Sequence, residues 1–323
     1  LGTKGVTYID FPGNLINDVL PNFSETEIQP LCDVKCMPDP ASVDKVANLI
    51  LRNQRKKVLV VLGKGAVDSA PEIRSFVDCF NLPFLPTPMA KGIVPDSHPL
   101  NVSSGRSQAL REAEIVIVVG ARLNWILHFA KPPKWNSDAI FIQVDSNAET
   151  IGQNNAKGMK YGLYGDIGLS LQSLSMSLKA LGSFTYSGLS NELKGTIRQN
   201  HQKLFLKESS PLKNGLLNYN QVYARLIPLL DDSRTFIVAE VDNTMDTARV
   251  SFPTDYPRRR LDAGTNATMG VGIGYGIAAK IAQPSKDVVI IQGDSAFGFS
   301  AMELETAVRH ELGLIVVVMN NSG

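Results

Sequence analysis

The 323-residue sequence predicts an α/β protein built of doubly wound parallel sheets. Three features carry that expectation. The apolar runs at 57–62, 115–119 and 288–291 are short, β-branched and unbroken, as in strands covered on both faces. Segments with helical spacing alternate with these runs. The runs end in Gly, Asp or Asn, residue types that can hold ligands at the carboxyl edge of an open sheet.

In chain order, residues 5–12 read as a strand, and 21–40 as a polar, proline-bearing linker. A helix follows, with Ser42 as the expected N-cap and Val46, Leu49 and Ile50 on its apolar stripe. Residues 57–62 form a strand leading into Gly63-Lys64-Gly65-Ala66 and a helix over 70–79. Further strands are expected at 83–85, 115–119, 139–145 and 159–164, and Gly165-Asp166 opens a helix toward Leu181. Residues 182–213 are polar, with one helical stretch near Leu193, Ile197 and Leu204. A second α/β unit begins at Asn218, with strands over 235–240, 288–293 and 314–319. One helix is expected between the last two strands, over 301–313. The glycines at 270, 272, 274 and 276 allow either tight helix–sheet packing or close approach to a ligand.

Composition narrows the function classes. A net charge of +1 with scattered lysines and arginines argues against a nucleic-acid or anionic-membrane surface. No apolar run approaches the length of a membrane span. Three cysteines leave one over by parity, which argues against a disulfide framework. Cys32 and Cys36 lack a second Cys/His pair for zinc, and the four histidines are dispersed. A reducing compartment follows as the expectation. The chain reads as cut at both ends: residues 5–12 have no earlier strand to pair with, and Gly323 closely follows Asn321.

The chemistry-bearing stretch is Gly293-Asp294-Ser295-Ala296, followed one strand–helix–strand unit later by Asn320-Asn321. Parallel strands would bring Asp294 and Asn321 to one sheet edge. A carboxylate, an amide oxygen and a backbone carbonyl suit a hard cation such as Mg²⁺ that also meets phosphates. The Ser295 and Ala296 amides, placed just before a helix, can hold a diphosphate. Gly-Asp-Ser does not fit a hydrolase serine, because no Asp-x-x-His follows: Ala307 stands three residues before His310. In the first unit, Gly63-Lys64-Gly65 lacks the third glycine of a dinucleotide fingerprint. Lys64, Arg122 and Asp145 can surround an adenine nucleotide, or be charges at the strand ends of a plain scaffold.

The spacing of Gly293-Asp294 and Asn320-Asn321 resembles the thiamine diphosphate (ThDP) motif. The wider chain resembles the 2-hydroxyacyl-CoA lyase and oxalyl-CoA decarboxylase subgroup of the ThDP-dependent enzymes. The residues that carry this are Leu82-Pro83-Phe84-Leu85-Pro86-Thr87-Pro88-Met89, Lys91-Gly92-Ile93-Val94-Pro95-Asp96, Gly120-Ala121-Arg122-Leu123-Asn124-Trp125-Ile126-Leu127-His128-Phe129, and Gly293-Asp294-Ser295-Ala296-Phe297-Gly298-Phe299-Ser300. Thr87-Pro88 leans toward the lyases.

The resemblance implies a fold and a set of roles. Residues 1–20 would be the tail of a pyrimidine-binding domain and 21–40 a linker. Residues 41–182 would be a Rossmann-like middle domain, 183–213 a connecting segment, and 214–323 an incomplete ThDP diphosphate-binding domain. Asp294, Asn321 and the Gly323 carbonyl would hold Mg²⁺. Gly293, Ser295 and Ala296 would meet the diphosphate, Asn243 and Thr244 the cofactor or substrate, and Met269 would wedge the cofactor. Lys64, Arg122, Asp145 and Asp166 match positions that hold ADP. Ala267 stands where the family usually has Gly, whose carbonyl accepts the cofactor's amino proton. Asn266 stands beside it in place of an aromatic. The activating Glu of the family belongs to the first domain, outside these residues.

The implied reaction cleaves a 2-hydroxyacyl-CoA to formyl-CoA and a shortened aldehyde. The alternatives are oxalyl-CoA decarboxylation, or a ThDP-binding homologue without activity. A nicotinamide-dependent dehydrogenase fits poorly, since Asp294 and Asn321 would have no role. The expected partners are an acyl-CoA substrate and copies of the same chain in a homodimer or homotetramer. The expected location is the peroxisome or the cytoplasm.

Overall fold

A computed structural model describes residues 8–19, 34–155, 160–212, 214–240 and 243–321. The first α/β unit runs α1 (Pro40–Arg52), β1 (Val58–Leu62), α2 (Ala70–Phe80), β2 (Phe84–Pro86), α3 (Arg106–Glu112), β3 (Ile115–Val119), β4 (Ile140–Asp145), β5 (Tyr161–Tyr164) and α4 (Ile167–Leu181). Its five strands are all parallel, in the order β2-β1-β3-β4-β5.

Alternation along each strand divides the core. Val58, Val60, Leu62, Ile115, Ile117 and Val119 face α1, α2 and α4. Leu59, Val61, Val116 and Val118 face the opposite layer, with Leu110 and Trp135. Both faces are covered, which is why these strands read as continuous apolar runs.

The second unit runs α5 (Asn191–Glu208), α6 (Tyr219–Leu226), β6 (Thr235–Ala239), α7 (Asn243–Ser251), β7 (Arg260–Asp262), α8 (Gly272–Ala282), β8 (Asp287–Gly293), α9 (Asp294–Ser300), α10 (Glu303–Arg309) and β9 (Ile315–Met319). Its four parallel strands lie in the order β7-β6-β8-β9. Helix α5 leans back onto the first unit through Leu193, and α6 opens with an Asn218/Gln221 capping box. Helix α8 packs tightly, because a Cβ on Gly276 would overlap Ile290 of β8.

Each sheet therefore reverses its direction of growth once, between β1 and β3 and between β6 and β8. Such reversal points open the crevices where open α/β sheets bind ligands. At the first one the two loops touch. Gly63 N donates to Val119 O at 2.9 Å and Gly65 N to Gly120 O at 3.0 Å. Gly120 has φ +59°, and a side chain on Gly63 would overlap the Gly120 carbonyl and Ala121.

The two units are stapled together. Lys91 Nζ, from the loop after β2, pairs with Asp96 at 2.8 Å. It also donates to the carbonyls of Arg249 at 2.8 Å and Phe252 at 3.0 Å. Asp96 in turn accepts from Thr254 N at 2.9 Å. Burial pushes the Lys91 ammonium below its usual pKa, and Asp96 opposes that shift. Among the described residues no helix is long and apolar enough to cross a membrane.

Three local expectations change. Asp39, not Ser42, caps α1: its carboxylate accepts from Ser42 N at 2.9 Å and Ser42 Oγ at 2.7 Å. Asp caps as well as Ser, and Pro40 suits the first helical position, which puts the cap at Asp39. The helix expected over 301–313 is α10, shortened to 303–309, and a second short helix, α9, precedes it over 294–300. Helix α9 begins at Asp294, so Ser295 and Ala296 lie inside a helical turn rather than before one. The strand expected over 5–12 is absent from residues 8–12, where Tyr8, Ile9 and Phe11 are exposed. A strand needs a neighbour for its amides, and none of the described strands pairs with this segment; residues 5–7 lie outside the described ones.

The contact at the first reversal point predicts that Gly63→Ala destabilises the protein by about 1–3 kcal/mol, measured by urea unfolding.

Candidate functional site

The carboxyl edge of the second sheet gathers most of the residues singled out from the sequence. Asn243 and Thr244 begin α7, just beyond β6. Ala267 and Met269 lie in the loop from β7 to α8. Gly293 ends β8, Asp294, Ser295 and Ala296 form the first turn of α9, and Asn321 lies two residues beyond β9. The β8–β9 register pairs Gly293 with Met319, so Asp294 and Asn321 emerge beside one another. Gly323 lies outside the described residues.

The loop over 263–271 is pinned at three points. At its start, Gly264 N donates to Asp262 Oδ1 at 2.8 Å. From the first unit, Trp125 Nε1 donates to Thr265 O at 3.2 Å. At its end, the Val271 amide donates to Glu240 Oε1 at 3.3 Å, and the Gly272 amide donates to Glu240 Oε2. Between these anchors the backbone turns through positive φ at Gly264, Ala267 and Gly270. Gly272 leaves no room for a side chain beside Glu240, whereas Gly274 faces open space. Close packing and an open approach thus each hold for part of this glycine series.

Ala267 has φ +50°, a region that favours glycine. Alanine can occupy it at a cost of about 1 kcal/mol. Both Ala267 and Met269 are exposed on the loop. Thr244 is buried, and its Oγ1 donates to the Glu240 carbonyl at 2.7 Å. Its own carbonyl accepts from Tyr223 Oη at 2.9 Å.

Asp262 anchors more than the loop. Its buried carboxylate lies 3.1 Å from Arg249 Nε and 3.4 Å from Arg260 Nε. Arg260 is itself buried and also reaches the carbonyls of Met245 and Ala248, both at 3.4 Å. Burial alone would push the Asp262 carboxyl up, but Arg249 and Arg260 outweigh it and hold the group below the usual carboxylate range.

The donor set at the sheet edge fits a magnesium diphosphate. Asp294 supplies one carboxylate and Asn321 one amide oxygen. Among the described residues no group of three His, Cys, Asp or Glu side chains gathers to enclose a metal by itself. Magnesium is commonly held by one or two carboxylates together with phosphate oxygens, so an open, oxygen-only pair suits it better than zinc or calcium.

In the first unit, Lys64, Arg122, Asp145 and Asp166 follow or end β1, β3, β4 and β5 respectively, which are successive neighbours in the sheet. Lys64 and Arg122 are exposed. Asp145 is partly buried, and burial pushes its carboxyl up although the Asn147 amide opposes the shift at 2.9 Å. Asp166 caps α4, accepting from Leu169 N at 3.0 Å, and lies 3.6 Å from Lys35 Nζ. The four share one edge, but Asp166 already has local partners.

Sequence reading passed over Glu240, Asp262, Arg249 and Gln292. Asp262 carried a detectable signal, a carboxylate two residues before a glycine at a strand end. Glu240 was noted only as the end of a strand. A cleft of about 720 Å³ between the units was also missed. Its wall on α5 carries Lys194, Arg198 and His201 at helical spacing i, i+4, i+7, and its wall on α7 carries Arg249 and Val250. The floor includes Ser104, whose Oγ lies 2.7 Å from His201 Nε2.

Two outcomes are expected here. Asp262→Asn should cost about 3–5 kcal/mol, because it leaves two arginines without their carboxylate. Since the folded pKa of Asp262 is depressed, its stabilisation is present above about pH 4 and is lost as pH falls through the folded value. Denaturation midpoints across that range should fall steeply in the parent and less in the variant. Ala267→Gly should raise stability by about 0.5–1 kcal/mol, read from the same unfolding curves.

Comparison with known proteins agrees with this geometry. Residues 43–174 match the thiamine pyrophosphate enzyme central domain, and residues 241–323 match the thiamine pyrophosphate enzyme C-terminal TPP binding domain. The whole chain aligns with a 2-hydroxyacyl-CoA lyase of Saccharomyces cerevisiae at 57% identity, covering 58% of that protein. It aligns with 2-hydroxyacyl-CoA lyase 1 of Homo sapiens at 38% identity over 56% of that protein. It aligns with oxalyl-CoA decarboxylase of Escherichia coli at 37% identity over 57% of that protein. The chain thus spans rather more than half the length of the curated relatives it matches. With two thiamine pyrophosphate enzyme domains in succession and relatives aligned along its whole length, the chain belongs to the thiamine pyrophosphate-dependent enzymes, in the group of 2-hydroxyacyl-CoA lyases and oxalyl-CoA decarboxylases.

Proposed function

We propose that the full-length protein is a ThDP- and Mg²⁺-dependent carbon–carbon lyase that cleaves 2-hydroxyacyl-CoA to formyl-CoA and a shortened aldehyde. The observation that carries the substrate class is the cleft between the units. Its volume of about 720 Å³ suits a large ligand. Lys194 and Arg198 give it the charge to receive the phosphates of a coenzyme A, and Ser104 and His201 add hydrogen-bonding groups. Helix α7 spans from this cleft, at Arg249 and Val250, to the cofactor edge, at Asn243. A helix of that length leaves about 13 Å for an extended thioester arm. The 57% identity to a protein named 2-hydroxyacyl-CoA lyase favours that reaction over decarboxylation.

ThDP, when bound, supplies the electron sink that lets the bond beside the thioester carbonyl break. The chain supplies position and charge. Asp294 and Asn321, with the Gly323 carbonyl, would hold Mg²⁺, and Gly293 with the amides of Ser295 and Ala296 would receive the diphosphate. The Ala267 carbonyl would face the cofactor's amino group, Met269 would pack against the cofactor, and Asn243 and Thr244 would line the substrate side. In the middle domain, residues 41–182, the edge formed by Lys64, Arg122, Asp145 and Asp166 takes an ADP-type nucleotide. Residues 183–213 connect this to the diphosphate-binding domain at 214–323. An activating Glu comes from a first domain, whose tail is residues 1–20, joined by the linker at 21–40. The active protein is a homodimer or homotetramer, located in the peroxisome or the cytoplasm.

The test is product analysis by mass spectrometry, with the full-length protein, ThDP and Mg²⁺. Aldehyde and formyl-CoA are expected from a long-chain 2-hydroxyacyl-CoA. Carbon dioxide and formyl-CoA from oxalyl-CoA alone would replace the lyase with the decarboxylase, and no turnover of either would leave a binding homologue. Arg198→Ala should raise KM for the thioester roughly tenfold with little change in kcat, the loss expected for one charge-assisted contact.

A further inference from the structure

We propose that Glu240 is a positioning residue for the cofactor loop, supported at its side by Gln292. The inference rests on the reading of this sheet edge as the ThDP site. Glu240 follows β6, and Gln292 is the next-to-last residue of β8, so the two flank the point where the second sheet reverses. Both side chains are buried, Glu240 at 1% exposure and Gln292 at 0%. Glu240 accepts the Val271 and Gly272 amides at the start of the 11-residue helix α8. These amides close the loop that carries Ala267 and Met269.

The charge on Glu240 has a physical use there. Among the described residues no basic side chain lies within ion-pair distance of it. The positive end of the α8 dipole faces it instead. Its carboxylate therefore gives the loop a fixed attachment to the sheet. Gly272 makes the contact possible, since any side chain there would collide with this carboxylate.

Gln292 is the second, independent observation. Both its Nε2 and its Oε1 are buried without a hydrogen-bond partner among the described residues, and its Oε1 lies near the position a Gly272 side chain would take. A buried amide with no partner is rare, because its desolvation is not offset. A water between Gln292 and Glu240 would accept from Gln292 Nε2 and donate to the Glu240 carboxylate, linking the two side chains. Gln292 then braces Glu240 beside the Gly272 end of the helix.

The experiment measures ThDP binding by isothermal titration calorimetry, in the full-length protein at fixed Mg²⁺. Glu240→Gln keeps the volume but turns an N–H toward one of the two loop amides. We expect it to raise the ThDP Kd about tenfold, the scale of one charge-assisted hydrogen bond. Glu240→Asp, which restores the charge, should recover part of that loss. Hydrogen exchange without cofactor should quicken at Val271 and Gly272 in Glu240→Gln while β8 stays protected. Gln292→Leu should weaken ThDP in the same direction, by a smaller factor. Binding within twofold of the parent in Glu240→Gln, or exchange that quickens throughout the domain, would overturn the proposal. Loss in Glu240→Gln with none in Gln292→Leu would remove Gln292 from it. Asp294→Ala separates the two levels of inference. Normal ThDP binding in that variant would refute the assignment of the edge itself, whereas lost binding there with normal binding in Glu240→Gln would refute only the role of Glu240.

Discussion

One buried carboxylate holds the second unit together at its working end. Asp262 is shared by Arg249 and Arg260, and it fixes the Gly264 amide as well. Through these contacts the end of β7, the last turns of α7 and the start of the cofactor loop become one piece. Arg249 has a second, exposed carboxylate partner in Asp246 at 3.3 Å. The remaining donors of Arg260 are directed to the carbonyls of Met245 and Ala248. The arrangement is costly to bury but leaves little freedom, so the loop begins in one direction only.

The same topology serves different ends in the two halves. Both sheets reverse once near their middle, and both reversals bring two loops together. In the first half the loops meet backbone to backbone, with Gly63 and Gly120 allowing the contact. Charged groups there are pushed outward, onto the rim formed by Lys64, Arg122, Asp145 and Asp166. In the second half a carboxylate enters the junction, and the loop beyond it reaches further from the sheet. A close backbone seam makes a shallow edge, and a carboxylate seam supports a longer loop.

Much of this was legible in the sequence. Buried parallel strands write themselves as β-branched runs such as 115–119, because neither face offers water to a polar side chain. The residues at Asp294 and Asn321 could be placed on one edge because parallel strands of known spacing leave no other geometry. What escaped was decided by neighbours distant in the chain. Glu240 has the sequence appearance of an ordinary strand end, yet its partners lie 31 and 32 residues away. Ser42 looks like a cap until Asp39 is seen to accept from it. The cleft required α5 to fold back across the first unit, which its polar composition did not reveal. The segment at 5–12 has the composition of a strand but no partner among the described strands, and composition alone does not make one.

Helix α7 has a mechanical consequence that follows from its two ends. Its N-terminal residues stand at the cofactor edge, while carbonyls at and just beyond its far end are gripped by Lys91 from the other unit. It therefore acts as a rigid spacer whose two ends cannot be adjusted separately. A change in how the units pack would displace both the cleft wall and the carboxyl edge of the second sheet, by similar amounts. Lys91, though remote from that edge, is for that reason constrained along with it. The cleft wall on α5, by contrast, carries no residue of the second sheet's carboxyl edge and can change independently of it.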